Sequence, residues 1–348
     1  MTLRLTWKRV LASLAALAAA GLLFAWSGLF PLAATTGHWA VTEWFLHWTM
    51  QNSARTYSAF QTPEHVRDDD ALTSAAGHFR QACQVCHGAP GEAPSPAMQS
   101  ATPHAPDLAR TVTHYSDREL FWIVTHGVKY TGMPAWPTQD RPDEVRRMVG
   151  FLRQLPTMDA GRYAQLSMAT SDVAISPPLV RQCAGCHGSD GLGHGQPDIP
   201  IIAGQKRAHL YTALRRYASG VRHSGPMQVA AATLTDSEMQ ALATHYAQLP
   251  GLHDTPLDTA HPLVKGGDRA RQLPACARCH APGKTAPILA GQRADYLADR
   301  LRAWQGDKTV IDLHKSQLPM PVIARRIPED QIEPLARALS QGSRQTPP

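Results

Sequence analysis

Every cysteine in this chain sits in a C-x-x-C pair with a histidine directly after it. The three segments are Cys83-Gln-Val-Cys86-His87, Cys183-Ala-Gly-Cys186-His187 and Cys276-Ala-Arg-Cys279-His280, and they use all 6 cysteines of the sequence. Thiols and imidazoles at this spacing are redox-active or metal-ligating chemistry, and none is left over for an ordinary disulfide. A methionine follows each segment in a loop context: Met133 in Thr-Gly-Met133-Pro-Ala, Met227 in Gly-Pro-Met227, and Met320 in Leu-Pro-Met320-Pro. His187 to Met227 and His280 to Met320 both span 40 positions, and His87 to Met133 spans 46.

Structural zinc needs four ligands, commonly from two C-x-x-C pairs some 15–20 residues apart. Here the pairs are about a hundred residues apart, each with its own fixed histidine. A thioredoxin-type pair would not explain three copies, each with a histidine and a methionine. Covalent haem explains all of it. Two thiols on one helical turn add to the two vinyl groups of a porphyrin, and the adjacent imidazole becomes the proximal iron ligand. A methionine sulfur on the opposite side favours the reduced iron and fills the last coordination position. The candidate site is therefore three haem c groups, held by Cys83 and Cys86, Cys183 and Cys186, and Cys276 and Cys279, with axial pairs His87/Met133, His187/Met227 and His280/Met320. A proximal imidazole also needs an acceptor for its second N–H. Pro106, Pro200 and Pro287 stand at comparable places after the three motifs, and their carbonyls are the expected acceptors. His126, His223 and His314 lie on the way to the methionines and are rival sixth ligands, but surface or propionate-pairing roles are the ordinary outcome for them. Met148 falls within a helical pattern and Met98 in a Pro/Ser-rich loop, so Met133 is preferred to both. Arg215, Arg216, Arg300 and Arg302 are candidate propionate partners, with solvated helix faces the competing reading.

The elements that position these residues read as helices. Ser116-Asp-Arg-Glu119 and Thr235-Asp-Ser-Glu238 are capping boxes, the first opening a helix to about Thr125 and the second a helix ending at Pro250. Pro142 opens a helix through Leu155. Ala208–Tyr217 and Ala294–Trp304 are matching helices of an internal duplication, because Ala203-Gly204-Gln205 recurs as Ala290-Gly291-Gln292 and Leu210, Leu214 and Tyr217 as Leu297, Leu301 and Trp304. The third copy lacks six residues after its cysteine motif and regains six before Met320. Pro334 is expected in the first turn of the last helix, where proline is tolerated. The proline-rich stretches 156–178 and 250–262 read as linkers. No alternating strand pattern appears, so the fold class is all-α.

Arg4, Lys8 and Arg9 precede an uncharged apolar stretch from Val10 to about Ala34, long enough to cross a bilayer as a helix. Its length exceeds the apolar core of a cleaved signal, and its end is a poor cleavage site, so an uncleaved anchor is expected. The preceding positive charges place the N-terminus in the cytoplasm. His38 to Trp48 follows, with Trp44 and Trp48 one turn apart, either at the membrane interface or packed on the first domain. His38 and His47 there read as interfacial or surface residues. The expected organisation is residues 1–36 as cytoplasmic tip and transmembrane anchor, 37–69 as interfacial helix and linker, and haem domains at 70–157, 172–250 and 263–343.

The segment from about residue 70 to 345 resembles three class I c-type cytochromes in tandem. The last two units are similar to the tandem dihaem cytochromes c, sharing C-x-x-C-H, then Pro-x-Leu/Ile-Ala-Gly-Gln, then a late Met before a final helix. The resemblance implies an all-helical haem fold, the ligand pairs named above, attachment on the periplasmic side of a bacterial inner membrane through a single lipid-embedded helix, and electron carriage. Donor and acceptor are implied to be redox proteins: a dehydrogenase or quinol-oxidising complex on one side, a terminal oxidase or soluble cytochrome on the other. Cytochrome subunits of membrane-bound dehydrogenases also carry three haems, usually with a C-terminal anchor. One departure is Leu335-Ala-Arg-Ala-Leu339, where the family commonly has an aromatic and the other units have Phe151 and Tyr246.

Composition agrees with folded domains. Of 348 residues, 43% are hydrophobic and 18% charged, too apolar for a disordered chain. The net charge of +6 comes without a basic run interleaved with aromatics, which argues against nucleic acid as a partner. Haem peroxidase chemistry would need a vacant distal position, and three well-spaced methionines argue against one.

Overall fold

The computed structural model describes residues 6–167, 178–306 and 319–341. Among these residues the fold is helical, without strands; the only bridges are the isolated pairs Ala89–Glu92 and Asp268–Leu273. Both capping boxes form, each with the Ser or Thr side chain on the N3 amide and the Glu reaching back. Their helices run Asp117–His126 and Asp236–Gln248. The duplicated pair forms helices Arg207–Ala218 and Ala294–Gly306.

The N-terminal helix is shorter than the apolar stretch that encodes it. It runs Trp7–Trp26, about 30 Å at 1.5 Å per residue, and none of it is buried in the protein. Gly28 then takes a left-handed conformation at φ 72°, and Pro31 follows, so the chain turns before Ala34. A helix of this length and composition suits a membrane anchor or an export signal.

The next helix, Ala40–Gln61, divides its roles along its length. Trp44 and Trp48 stack at 6.0 Å, and together with Trp39 and Phe45 they are exposed. Toward the other end, Ala54 and Ser58 are buried, Tyr57 stacks on Trp122 at 5.7 Å, and Arg118 donates to the Ser58, Ala59 and Thr62 carbonyls. So the C-terminal half packs on the Asp117–His126 helix, while the aromatic half is left bare.

Three apolar cores follow in chain order. The first gathers Phe79, Phe151, Met148, Val145 and Tyr163. The second is small, with Val180, Ala184, Leu242 and Tyr246 at its centre. The third contains Val264, Leu297, Leu301, Ile332, Leu335 and Leu339, so leucines fill the place taken by Phe151 and Tyr246 elsewhere. Two expectations need correction. Residues 160–167, expected as linker, form the helix Ala160–Ser167, because Tyr163 and Leu166 share a face; Tyr163 meets Phe79 at 6.2 Å and Phe151 at 6.3 Å. Pro334 is the sixth residue of the helix Glu329–Gln341, not in its first turn. That helix gives up one backbone hydrogen bond there, and its buried Ile332, Leu335, Ala336 and Leu339 hold it in place.

Helix Pro142–Gln154 crosses the start of the first unit closely at Gly150. A Cβ there would lie 1.9 Å from the Asp68 carbonyl oxygen. Backbone cannot yield as a side-chain tip can, so Gly150→Ala should cost about 3 kcal/mol, at the upper end for overpacking. Urea unfolding followed by far-ultraviolet circular dichroism checks it.

The duplicated units meet face to face through the repeated Ala-Gly-Gln segments. Gln205 exchanges two hydrogen bonds with the Ile288 backbone at 3.0 and 2.9 Å, and Gln292 does the same with Ile201 at 2.9 and 3.0 Å. Lys206 reaches the Ala286 carbonyl at 3.0 Å, and its counterpart Arg293 the Ile199 carbonyl at 2.9 Å. Each unit therefore gives the other the same contacts, an isologous arrangement within one chain. The first unit joins them through Arg147, which pairs with Asp143 at 3.2 Å, Asp299 at 3.1 Å, Asp68 at 3.5 Å and Asp198 at 3.9 Å.

Candidate haem sites

Each C-x-x-C-H segment ends on a helical turn. In the second unit it closes the helix Pro178–His187. In the first, a π-helical turn, Phe79–Cys83, carries the Leu72–His78 helix into Gln84–His87. In the third it is the single turn Ala277–His280. All six cysteines are free thiols. Burial pushes Cys83 and Cys186 up to about 12 and Cys183 and Cys276 up to about 11. Among the described residues no three His, Cys, Asp or Glu side chains converge on a point where they would hold an ion.

His87 Nδ1 donates to the Pro106 carbonyl at 2.8 Å, and His280 Nδ1 to the Pro287 carbonyl at 2.9 Å. That bond fixes the tautomer, leaving each Nε2 with its lone pair free for a metal. His187 differs: its buried Nδ1 has no partner at hydrogen-bond geometry, although the Pro200 carbonyl pulls on its proton. Burial lowers the pKa of all three imidazoles, His187 to about 4, so they are neutral as ligation requires.

The methionines are half-buried. Met133 is in the loop before Trp136, Met227 in the helix Gly225–Ala232, and Met320 in Pro319–Ala324 against the third core with Cys276. Met148 is a core residue at 2% exposure and Met98 is exposed. His223 Nδ1 is 2.5 Å from Asp140, and the His126 ring lies tilted against Trp122 at 5.1 Å, so both have other partners; His314 lies outside the described residues.

Where the units meet lies a group of arginines that the sequence marked only in part. Arg300 is 8% exposed, its Nε has no hydrogen-bond partner, and its guanidinium lies over Trp304 at 4.8 Å. Arg222 lies over Tyr217 at 4.7 Å. No carboxylate among the described residues pairs with either one. Arg222 is only half-buried and is met by Tyr296, but Arg300 is a buried cation without an anion, which is costly, and a porphyrin carboxylate would satisfy it. Thiol pairs, neutral imidazoles, thioethers and the unpaired buried cation of Arg300 are together a donor set that fits haem. Arg302, by contrast, pairs with Glu329 at 3.0 Å and Glu333 at 2.8 Å on the surface, and Arg215 is exposed beside Tyr211. Arg222 stands out only in the fold, where Tyr217 of its own unit and Tyr296 of the next face it.

His78 is a buried titratable group outside the motifs. It is 4% exposed, lies tilted against Trp136 at 4.4 Å, and has no partner for Nδ1. Burial lowers its pKa from 6.5 to about 4, against the pull of Glu144. The fold therefore holds the neutral ring. That contribution is complete above pH 6.5 and is lost as the pH falls towards 4, up to about 3 kcal/mol. Urea unfolding at a series of pH values should show this loss, and His78→Gln should remove it.

Residues 70–152 match the family model described as cytochrome c oxidase, cbb3-type, subunit III, and residues 179–250 match the one described as cytochrome c. The chain is 32% identical over 211 residues to the thiosulfate dehydrogenase electron acceptor of Thiomonas intermedia, covering 56% of this chain and 94% of that protein. It is 30% identical over 146 residues to cytochrome c4 of Pseudomonas aeruginosa, covering 39% of this chain and 72% of that one. Among solved structures, reduced cytochrome c4 from Pseudomonas stutzeri aligns with a TM-score of 0.39 at 27% identity, covering 47% of this chain and 94% of that one.

Proposed function

The chain belongs to the cytochrome c family, and from this we propose that it is a membrane-anchored trihaem electron carrier. Its haems are thioether-linked at Cys83/Cys86, Cys183/Cys186 and Cys276/Cys279, with axial pairs His87/Met133, His187/Met227 and His280/Met320. The observation that carries the reading is the threefold recurrence of free thiol pairs on a helical turn, each beside a neutral histidine, two of which are oriented by a proline carbonyl. Bound haem supplies reversible one-electron chemistry between ferrous and ferric iron. The protein's part is to hold and shield it. The Pro106 and Pro287 carbonyls orient the imidazoles, Met133, Met227 and Met320 would supply the second ligands, and Arg300 would neutralise a propionate. A histidine and a methionine for each iron would leave small oxidants no open coordination site, which favours carriage over peroxide turnover.

The Trp7–Trp26 helix serves as anchor, the bare Trp39, Trp44, Phe45 and Trp48 sit at the lipid interface, and the haem units face the periplasm. The relatives from Thiomonas intermedia and Stutzerimonas stutzeri are named as electron acceptors of thiosulfate dehydrogenase. This supports a dehydrogenase as the donor, thiosulfate dehydrogenase being the first to try, with a terminal oxidase or soluble cytochrome as acceptor. The test is stopped-flow mixing of the oxidised protein with thiosulfate dehydrogenase and thiosulfate, beside gentle solubilisation of native membranes. Rapid reduction of the haems supports the carrier, and stable co-purification with a dehydrogenase makes it a subunit of that complex. Catalytic consumption of peroxide by the reduced protein would overturn carriage in favour of an enzyme.

A further inference from the structure

The first unit grips the stretch of the second unit that leads into Met227. Glu144 is 7% exposed, and its Oε2 accepts the Gly225 N–H at 2.7 Å and the Trp136 Nε1–H at 3.2 Å. Arg141 pairs with the other Glu144 oxygen at 3.1 Å and donates to the His223 carbonyl at 3.0 Å. Asp140 holds the His223 ring at 2.5 Å. A Cβ on Gly225 would sit 2.6 Å from Trp136 Nε1, so the seat closes tightly around the bare backbone. Residues 223 and 225 are thus tied, main chain and side chain, to a segment that starts three residues after Met133. Such ties are charge-assisted, and those of Glu144 and Arg141 are sheltered from water, the strong class of hydrogen bond.

We propose that Glu144 and Asp140 are positioning residues for the distal ligand of the second haem: the first unit holds the Met227 sulfur in place across the boundary between units. This rests on the reading that Met227 is that ligand. It makes the second haem's coordination strength depend on a neighbouring unit, and it ties together the segments that carry the first two distal ligands.

The test uses the full-length oxidised holoprotein. The sulfur-to-iron charge-transfer band in the far red reports methionine ligation, imidazole is the displacing probe, and a redox titration resolves the potentials. Met227→Leu should remove about one third of the band. Glu144→Ala should speed imidazole capture at one haem about tenfold, the effect of losing one buried charged hydrogen bond, and lower that haem's potential while the other two stay fixed. Asp140→Asn, at a partly exposed side chain and therefore safe for folding, should move the same haem in the same direction. Combining Glu144→Ala with Met227→Leu should add nothing to Met227→Leu alone. Wild-type imidazole rates in both single variants, or equal acceleration at all three haems, would overturn the clamp. A full band in Met227→Leu would overturn the ligand assignment and the clamp with it, while leaving covalent haem and electron carriage standing.

Discussion

Replacing Cys183 and Cys186 together with alanine is expected to leave two covalent haems per chain and to melt the second unit while its neighbours keep theirs. The reason is the size of the second core. Val180, Ala184, Leu242 and Tyr246 are too few to offset the chain entropy of about 70 residues, so the bound porphyrin must supply most of the apolar contact. The first core, built on Phe79, Phe151, Met148 and Tyr163, needs its haem far less to stay folded. The haem visible absorbance should therefore fall by about a third, and proteolysis should open within residues 178–250. The equivalent change at Cys83 and Cys86 should cost the same third of the absorbance and leave the first unit resistant. Absorbance per chain and mapped proteolytic fragments check both.

The second large effect is at Arg147. Its side chain is 10% exposed and serves four carboxylates from all three units, among them Asp198 at 3% exposure. Arg147→Met keeps the aliphatic volume and removes the charge, leaving those carboxylates to repel one another where water is scarce. The expected loss is about 3–5 kcal/mol at neutral pH. The pH dependence carries a signature. Burial already raises the Asp198 pKa above 3.8, with Arg147 and then Ser74 opposing it. Without Arg147 it rises further. A carboxyl with a raised folded pKa favours the fold when protonated, and that benefit is lost as pH climbs through the folded value. The deficit of Arg147→Met should therefore shrink as the solution is made acidic, whereas a simple packing defect would be independent of pH. Unfolding midpoints at neutral and mildly acidic pH measure it.

What the sequence revealed and what it hid divide along the range of the interactions. The C-x-x-C-H turns, the capping boxes at Ser116 and Thr235 and the helices they open are decided by residues within a few positions, and they stand where expected. The Pro106 and Pro287 carbonyls were recognisable because a proximal imidazole needs an acceptor nearby in the chain. In sequence the Ala160–Ser167 helix looks like linker because its proline-rich flanks dominate, and only the ring of Tyr163 beside Phe79 and Phe151 gives it a core to join. Arg147 looks like any helix-surface arginine until Asp198 and Asp299, 51 and 152 residues away, fold around it. Gln205 and Gln292 were visible as a repeat, but that each caps the other unit's isoleucine backbone is a property of the pairing. The grip of Glu144 on Gly225 is likewise written in two distant segments that are ordinary in isolation.

The most direct test of the whole account is the mass of tryptic peptides from the protein isolated from its native membrane. The peptide containing Cys83 and Cys86 and the one containing Cys183 and Cys186 should each be heavier by one haem, and the Cys276 and Cys279 peptides, which trypsin parts after Arg278, should stay joined through a third. Bare masses for all three would contradict the covalent haem on which every functional statement rests.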